Sequence, residues 1–500
     1  MQALRVIARL MIAGVAAGAI LLGLTTPARA AAPSPAPESR CGGPLESRVW
    51  VLWDREGQTF MAREMVQRRA LADGDAYALY DLQGYLQALV DMAVRCERGD
   101  RLVALAAMLL PVLDAQVGLP DGGKGWICRG GRVCNDINKL KGKEVVLDSL
   151  QFLALASRIA GRLGESPEEK VFTQRVVATL ADHLVRLEHS AAVKGLPERT
   201  EAAPSLIKDG SSRLFFTDLD LWAIDLYAEL AGLMARRPAL VAYLPDGWLT
   251  SGARASVSGF LRLMRSRLSL QPVKLPGGAT ALGGDLDRGF WRRHADSRYA
   301  GYDGDSPPAN CSPGQSAKLN LPADQVPLVE SLGWDFSHAR RLVTALDAIE
   351  QHRDAMLKVF RLAPGDLPAA GLPQAFAVQL LGVLWNHDST YPLFTNFWDG
   401  SNGWYRVAYD NGTGVCRSGT PPWGLTDSFA TGGFIAWGRY QAPLSELGMQ
   451  IYRLSQSADQ QATAFIAKNY SQLGSLASSN NRMLTQLMFW PSLVLWSKAS

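Results

Sequence analysis

Tyr77-Ala-Leu-Tyr-Asp81-Leu-Gln-Gly-Tyr-Leu-Gln-Ala-Leu-Val-Asp91-Met-Ala-Val94 decides how this chain folds. Its apolar residues Leu79, Leu82, Leu86, Leu89, Val90 and Ala93 recur at three- and four-residue spacing, which puts them on one helix face. Runs of the same period lie near 101–117, 143–162, 167–188, 217–236, 251–269, 337–360, 373–386, 427–440, 444–455, 459–470 and 481–497. Asp335 or Ser337 suits the cap of the 337 helix, and Ser457 with Asp459 suits the start of the one near 459. No stretch alternates as a strand should, so the expectation is an all-α protein. Two long connections, about 270–333 and 387–426, hold most of the remaining chain. Connections of that length inside a domain are usually functional. Helices joined by alternating short and long connections imply hairpins closing into an (α/α) toroid, with the long loops over one end. An open solenoid would show a fixed repeat period, which this sequence lacks.

Outward from the helices, the amino terminus has the three parts of a secretory signal. Arg5 and Arg9 precede an apolar stretch from Leu10 to Leu24, and Ala28-Arg29-Ala30 supplies small residues at the cleavage site. The apolar core is short for a membrane anchor. The expected organisation is a signal peptide over 1–30, an Ala/Pro/Ser leader over 31–40 and a single toroid domain over 41–500, with a periplasmic or secreted product. No later segment is long and apolar enough to span a bilayer. Losing Arg5, Arg9 and Arg29 takes the balance from 51 basic against 47 acidic residues to 48 against 47. A surface so balanced has no general claim on nucleic acid or anionic lipid.

All 6 cysteines lie beyond the signal, which fits three disulfides. Cys128-Arg-Gly-Gly-Arg-Val-Cys134 closes a Gly-rich loop; of the many pairings open to the rest we take Cys41 with Cys96 and Cys311 with Cys416. No Cys-x-x-Cys occurs and the 6 histidines lack ligand spacing, so neither metal nor cofactor is expected.

Chemistry-bearing residues cluster in the two long connections and at helix starts. The first cluster is Asp285-Leu-Asp287-Arg288-Gly-Phe-Trp291-Arg292-Arg293-His294, continuing to Tyr299, Tyr302, Asp303 and Asp305. Asp303-Gly304-Asp305 reads either as a turn or as oxygen ligands for calcium, the turn being commoner. The second runs from Trp385 through Asn396-Phe-Trp398-Asp399-Gly-Ser-Asn402-Gly403-Trp404-Tyr405-Arg406 to Trp423. Aromatic rings offer an apolar face to a pyranose, while Asp, Asn and Arg bond its hydroxyls. Trp334-Asp335 with His338, Asp218-Leu-Asp220 and Tyr80-Asp81 place carboxylates at helix starts, where capping is the competing role. Paired carboxyls beside aromatic loops suit acid–base cleavage of a glycosidic bond. Phosphate-cradling, dinucleotide and Gly-x-Ser-x-Gly motifs are missing from the sequence.

At these residues the chain resembles the six-hairpin glycosidase superfamily of (α/α)6 toroids. Asn402-Gly403-Trp404-Tyr405, Leu425-Thr426 and the helix from Asp427 through Tyr440 are similar to an uncharacterised group of bacterial envelope proteins related to endo-β-glucanases. Tyr80-Asp81 through Leu89 looks like that group's early Trp-Asp…Tyr-Leu helix, with Tyr in place of Trp. The 285–305 and 333–341 motifs have no counterpart there, so no catalytic role is carried over. The resemblance and the clusters together imply an exported glycoside hydrolase, endo-acting on a bacterial exopolysaccharide or β-glucan. The catalytic candidates are Asp305 and Asp399 foremost, then Asp218, Asp335 and Asp81. Trp291, Arg292, His294, Tyr302, Trp334, His338, Trp398, Trp404, Tyr405 and Trp423 are the binding candidates. The alternatives are a polysaccharide lyase, using Tyr405 with Arg406 or His294 with Arg292 and Arg293, and a non-catalytic glycan-binding factor of an exopolysaccharide assembly machinery.

Overall fold

In the computed structural model, residues 37–120, 122–312, 315–410 and 415–495 are described. The expected signal peptide and all but the end of the leader lie outside them. The helical period holds for most of the expected runs, but the one over 427–440 breaks at Gly432 and Gly433 into Ser428–Thr431 and a 3-10 segment Phe434–Arg439. α1 covers Pro44–Leu52, α2 Tyr77–Arg95, α3 Gly99–Asp114 and α4 Val146–Ala160. Then come α5 over Pro167–Glu188, α6 over Asp218–Arg236, α7 over Gly252–Arg267 and α8 over Phe336–Val359. The last long elements are α9 over Leu372–Gln379, α10 over Ala442–Gln456, α11 over Gln460–Asn469 and α12 over Ser479–Leu493. Periodicity did not reveal the first of these. From Pro44 the chain stays helical, partly in wider π turns, until Gly74 ends it in the left-handed region at φ 63°. Asp335 and Asp459 cap α8 and α11.

One series of neighbours runs α12–α2–α4–α6–α8. A second runs α3–α5–α7, with α5 also against α4 and α7 against α6. The short helix Ser428–Thr431 touches both α8 and α12. From Ser149 to Ser157 α4 is buried on every side, and so is α6 from Asp220 to Met234. A helix apolar all round has to be surrounded, so these two lie inside the array. α2, α4, α6 and α8 also run parallel. Side chains tie them near Tyr80, Asp148, Asp218 and Arg341. They meet again where Arg158 donates to Asp91 at 3.1 Å, Glu229 at 3.3 Å and Gln351 at 2.6 Å. In every helix the two levels are 10 or 11 residues apart, about 15 Å of rise.

Strand structure is where the all-α expectation is corrected. β1 over Leu268–Lys274 pairs antiparallel with β2 over Thr280–Leu286, turning through Gly277 and Gly278, both at positive φ. Alternation is hidden because α9 lies against β2. A Cβ at Gly283 would stand 2.6 Å from Gln379, and one at Gly284 2.5 Å from the Phe376 ring.

The two long connections are laced together and onto the start of α8. Arg406 N–H donates to Asp296 O at 2.8 Å and Trp404 N–H to Tyr302 O at 3.1 Å. Phe336 N–H donates to Asn396 O at 2.8 Å. Gly403 is required here, since a Cβ would fall 1.9 Å from the Ala300 carbonyl oxygen. Cys311–Cys416 links the same two connections, Cys41–Cys96 ties the first helical segment to the end of α2, and Cys128–Cys134 closes its loop. These are the three pairings taken from the sequence, and they suit an oxidising compartment. Each contributes about 2–4 kcal/mol. Thiol titration of the denatured, unreduced mature chain should find almost no free thiol; two or more per chain would contradict the pairing. Among the described residues no helix is long and apolar enough to cross a membrane.

Candidate active site

Each of the four parallel helices delivers a polar group to one cluster at its amino-terminal end. Tyr80 and Asp81 come from α2, Asp148 from α4, Asp218 from α6, and Arg340 with Arg341 from α8. The Tyr80 hydroxyl accepts from Arg340 Nη2 and, at 3.3 Å, from Arg341 Nη2. Arg341 Nε stands 3.3 Å from Asp218 Oδ2. Arg69 reaches Asp81 at 2.6 Å and Asp75 at 2.8 Å. Asp148 is only 2 % exposed, and its Oδ2 has no hydrogen-bond partner. Helix amino termini favour negative charge, yet three carboxyls this close cannot all ionise at equal ease.

The resulting protonation is split. Burial, then the charges of Asp81 and Asp218, push Asp148 up to about 8, with Arg341 opposing. Asp148 therefore holds a proton at neutral pH. Burial also raises Asp81, and Arg69 pulls it back. Tyr80 goes the other way: burial would raise its phenol, but the Arg340 and Arg341 guanidiniums bring it below its ordinary value. Groups pushed apart within one site are the mark of acid–base chemistry. They also bear on stability. The folded chain keeps a proton on Asp148 that the unfolded chain releases near pH 3.8. That contribution is complete at lower pH and is lost as pH rises toward about 8. Thermal unfolding of Asp148→Asn beside the parent should show a difference that shifts in favour of Asn between about pH 5 and about pH 8. A pH-independent difference would mean that Asp148 does not hold the proton.

Asp335 has a different task. Its carboxylate accepts from Ser337 N–H and His338 N–H, both at 3.1 Å, and lies 2.7 Å from His338 Nδ1. Burial opposes its charge, but His338 and Ser337 prevail and hold it far below the ordinary carboxylate range. Asp335 thus fills the capping role that the sequence set beside the catalytic one, and it orients His338. The Tyr405 hydroxyl sits 3.3 Å from His338 Nδ1, and burial with Asp335 pushes its phenol well up. Burial, with Arg406 and His338 nearby, lowers the His294 imidazole.

The other sequence candidates divide by burial. Trp398 is fully buried, donates to Gly284 O at 2.9 Å and packs on Phe336, Phe376 and Phe434. Trp334 is buried beside Phe216 and Trp291, and Trp404 is spent on Gly304 O at 2.8 Å. None of these three presents a face to a sugar, so core packing replaces the platform role expected of them. Trp291 is half-buried against Phe215 and His294, and Arg292 is paired with Glu330. Tyr302 bonds Ser306 O at 3.1 Å, while half-buried Trp423 is held by Asn402 at 2.9 Å. Asp305 is exposed. Asp399 closes a turn with Ser401 and Ser331 and has Asp285 as its charged neighbour. Neither shares a contact with the Asp81–Asp148–Asp218 cluster. Sequence reasoning missed Asp148. Its signal was the one that marked Asp81 and Asp218, an acid at the start of a helix otherwise apolar all round.

Below the cluster a cleft runs between α2 and α8, with about 860 Å³ of space counted out to solvent. Its walls include Gly84, Asp91, Arg158, Arg340, Asp347 and Arg439. Comparisons with family models, curated proteins and solved structures find no match to this chain.

Proposed function

We propose that this chain is an exported glycoside hydrolase that cleaves a polysaccharide by carboxyl acid–base chemistry at the Asp81–Asp148–Asp218 cluster. The observation that carries the reading is the proton held on Asp148 beside Asp81 and Asp218, in a cluster whose Arg340 and Arg341 also line the cleft. Asp148 protonates the leaving oxygen, and Asp218, kept beside Arg341, activates water or attacks the anomeric carbon. Tyr77, Tyr80 and Tyr409 are half-buried beside this cluster and take the place of the tryptophans as surfaces for sugar rings. The helix series α12–α2–α4–α6–α8, with Ser428–Thr431 bridging its two ends, supports an (α/α)6 toroid and with it the resemblance to the six-hairpin superfamily.

The test is incubation of the mature chain with a panel of bacterial exopolysaccharides and β-glucans. New reducing ends without ultraviolet-absorbing products are expected. Asp305→Asn, an exposed change away from the cluster, should keep at least about half of parental turnover; loss there, or in Asp399→Asn with unfolding unchanged, would move the site back to the long loops. A lyase is the second reading, favoured by the lowered phenol of Tyr80 beside two arginines. Unsaturated products would establish it. Polymer binding without cleavage would leave the assembly-factor reading.

A further inference from the structure

Five arginines and three acids line the cleft, and Asp218, Asp81 and Asp427 add their charge from beside its walls. Arg158 is matched by Asp91 and Glu229, Arg439 by Asp347, and Arg341 faces Asp218. The remaining two are held differently. Arg340 donates to the Tyr80 hydroxyl, and Arg95 to the carbonyls of Pro491 and Val494. Asp81 and Asp427 act on Arg340 only from longer range, so no ion pair holds it among the described residues. A guanidinium in a cavity wall is normally paired directly with an anion.

Gly84 is the second, independent observation. It lies mid-helix in α2 and faces the cleft, although glycine weakens a helix interior. No clash requires it. A Cβ there would meet only the Arg340 guanidinium nitrogens, at 3.9 and 4.0 Å, which is ordinary contact. Gly432, also in the cleft wall, is different, since its Cβ would fall 2.6 Å from the Ser428 carbonyl oxygen. What Gly84 provides is room above Arg340.

We propose that the cleft binds an acidic glycan, with a sugar carboxylate paired to the Arg340 guanidinium over Gly84. This rests on the reading of the cluster above it as a glycan-cleaving site. The planar guanidinium fork matches a carboxylate in geometry as well as charge.

The mature Asp148→Asn chain should be titrated calorimetrically with oligogalacturonate, oligoglucuronate and a neutral β-glucan oligomer of the same length. At least one oligouronate should bind about tenfold or more tighter than the neutral oligomer, and added salt should weaken it. Arg340→Gln in the same background should lose about tenfold. Gly84→Leu should lose binding while unfolding at or above the parental temperature, and Gly84→Ala should unfold higher. Equal or tighter binding of the neutral oligomer, or undiminished binding by Gly84→Leu, overturns the proposal. The two readings fail separately. An oligouronate bound but never cleaved by the parent removes the enzyme and leaves the acidic ligand. A neutral glucan cleaved while no oligouronate binds does the reverse.

Discussion

Asp148→Asn should lower turnover of the native glycan by about 10²- to 10⁴-fold without unfolding the protein. The side chain it replaces is already neutral at pH 7, because burial and the charges of Asp81 and Asp218 push it up to about 8. An amide has nearly the same size and the same lack of charge, so the cluster's electrostatics are preserved and the dissociable proton alone is removed. The pH profile separates this from a structural loss. In the parent, activity requires Asp148 protonated and its partner ionised, which gives a bell. The alkaline limb follows Asp148 and falls as pH passes about 8. The acid limb reports a second carboxyl of the cluster, where burial raises Asp81. Asp148→Asn should abolish the alkaline limb in the residual rate. Persistence of the alkaline limb in Asp148→Asn would assign the proton to another group, Tyr80 foremost.

Helices were legible where burial is one-sided, as in α2, because one apolar stripe facing its neighbours leaves a 3.6-residue record. β1 and β2 were not, because Gly283 and Gly284 give up the side chains that would have written alternation so that α9 can approach. The segment after α1 was unreadable for a related reason, since wide π turns disturb the period that marks a helix. At the site, Asp81 and Asp218 stood out as acids at helix starts. Asp335 shared that signal and is the cap that the sequence also named, since capping and catalysis draw on the same residue type in the same place. Asp335 is answered within its own turn by His338 and Ser337, whereas Asp148 meets two further carboxyls brought by other helices. That is tertiary information. The tryptophans misled in the same way: a large ring with one polar atom suits a sugar, and it equally suits a core that offers a carbonyl, as Gly284 does for Trp398.

Arg267→Met should cost about 3–5 kcal/mol, the largest stability loss expected of any single polar substitution here. Arg267 ends α7 and Asp287 follows β2, and their side chains are almost wholly buried 2.7 Å apart. The same guanidinium donates to the Leu214 carbonyl at 2.9 Å and to the Arg199 carbonyl, and lies over the Phe290 ring. Asp287 in turn accepts from Phe216 N–H at 3.0 Å, two residues before Asp218. Burial works against both charges, pushing Asp287 up to about 7 and Arg267 down despite their mutual attraction. The pair is therefore weakly stabilising as a unit but expensive to break, because removing one member strands the other in the interior. It also pins the chain that leads into α6, so the damage should reach the catalytic cluster. The comparison is urea unfolding of Arg267→Met, Asp287→Leu and the double variant. Each single change should shift the midpoint strongly, and the double variant should recover much of the loss, since two apolar side chains leave no orphan charge. Turnover is the more demanding readout: the double variant should refold stably and still be impaired, because the Phe216 N–H has lost its acceptor and Asp218 its anchor. A single variant within about 1 kcal/mol of the parent would mean that the pair behaves as a solvated surface bridge, and the position of Asp218 would then have to be set from the Arg199–Asp220 pair alone.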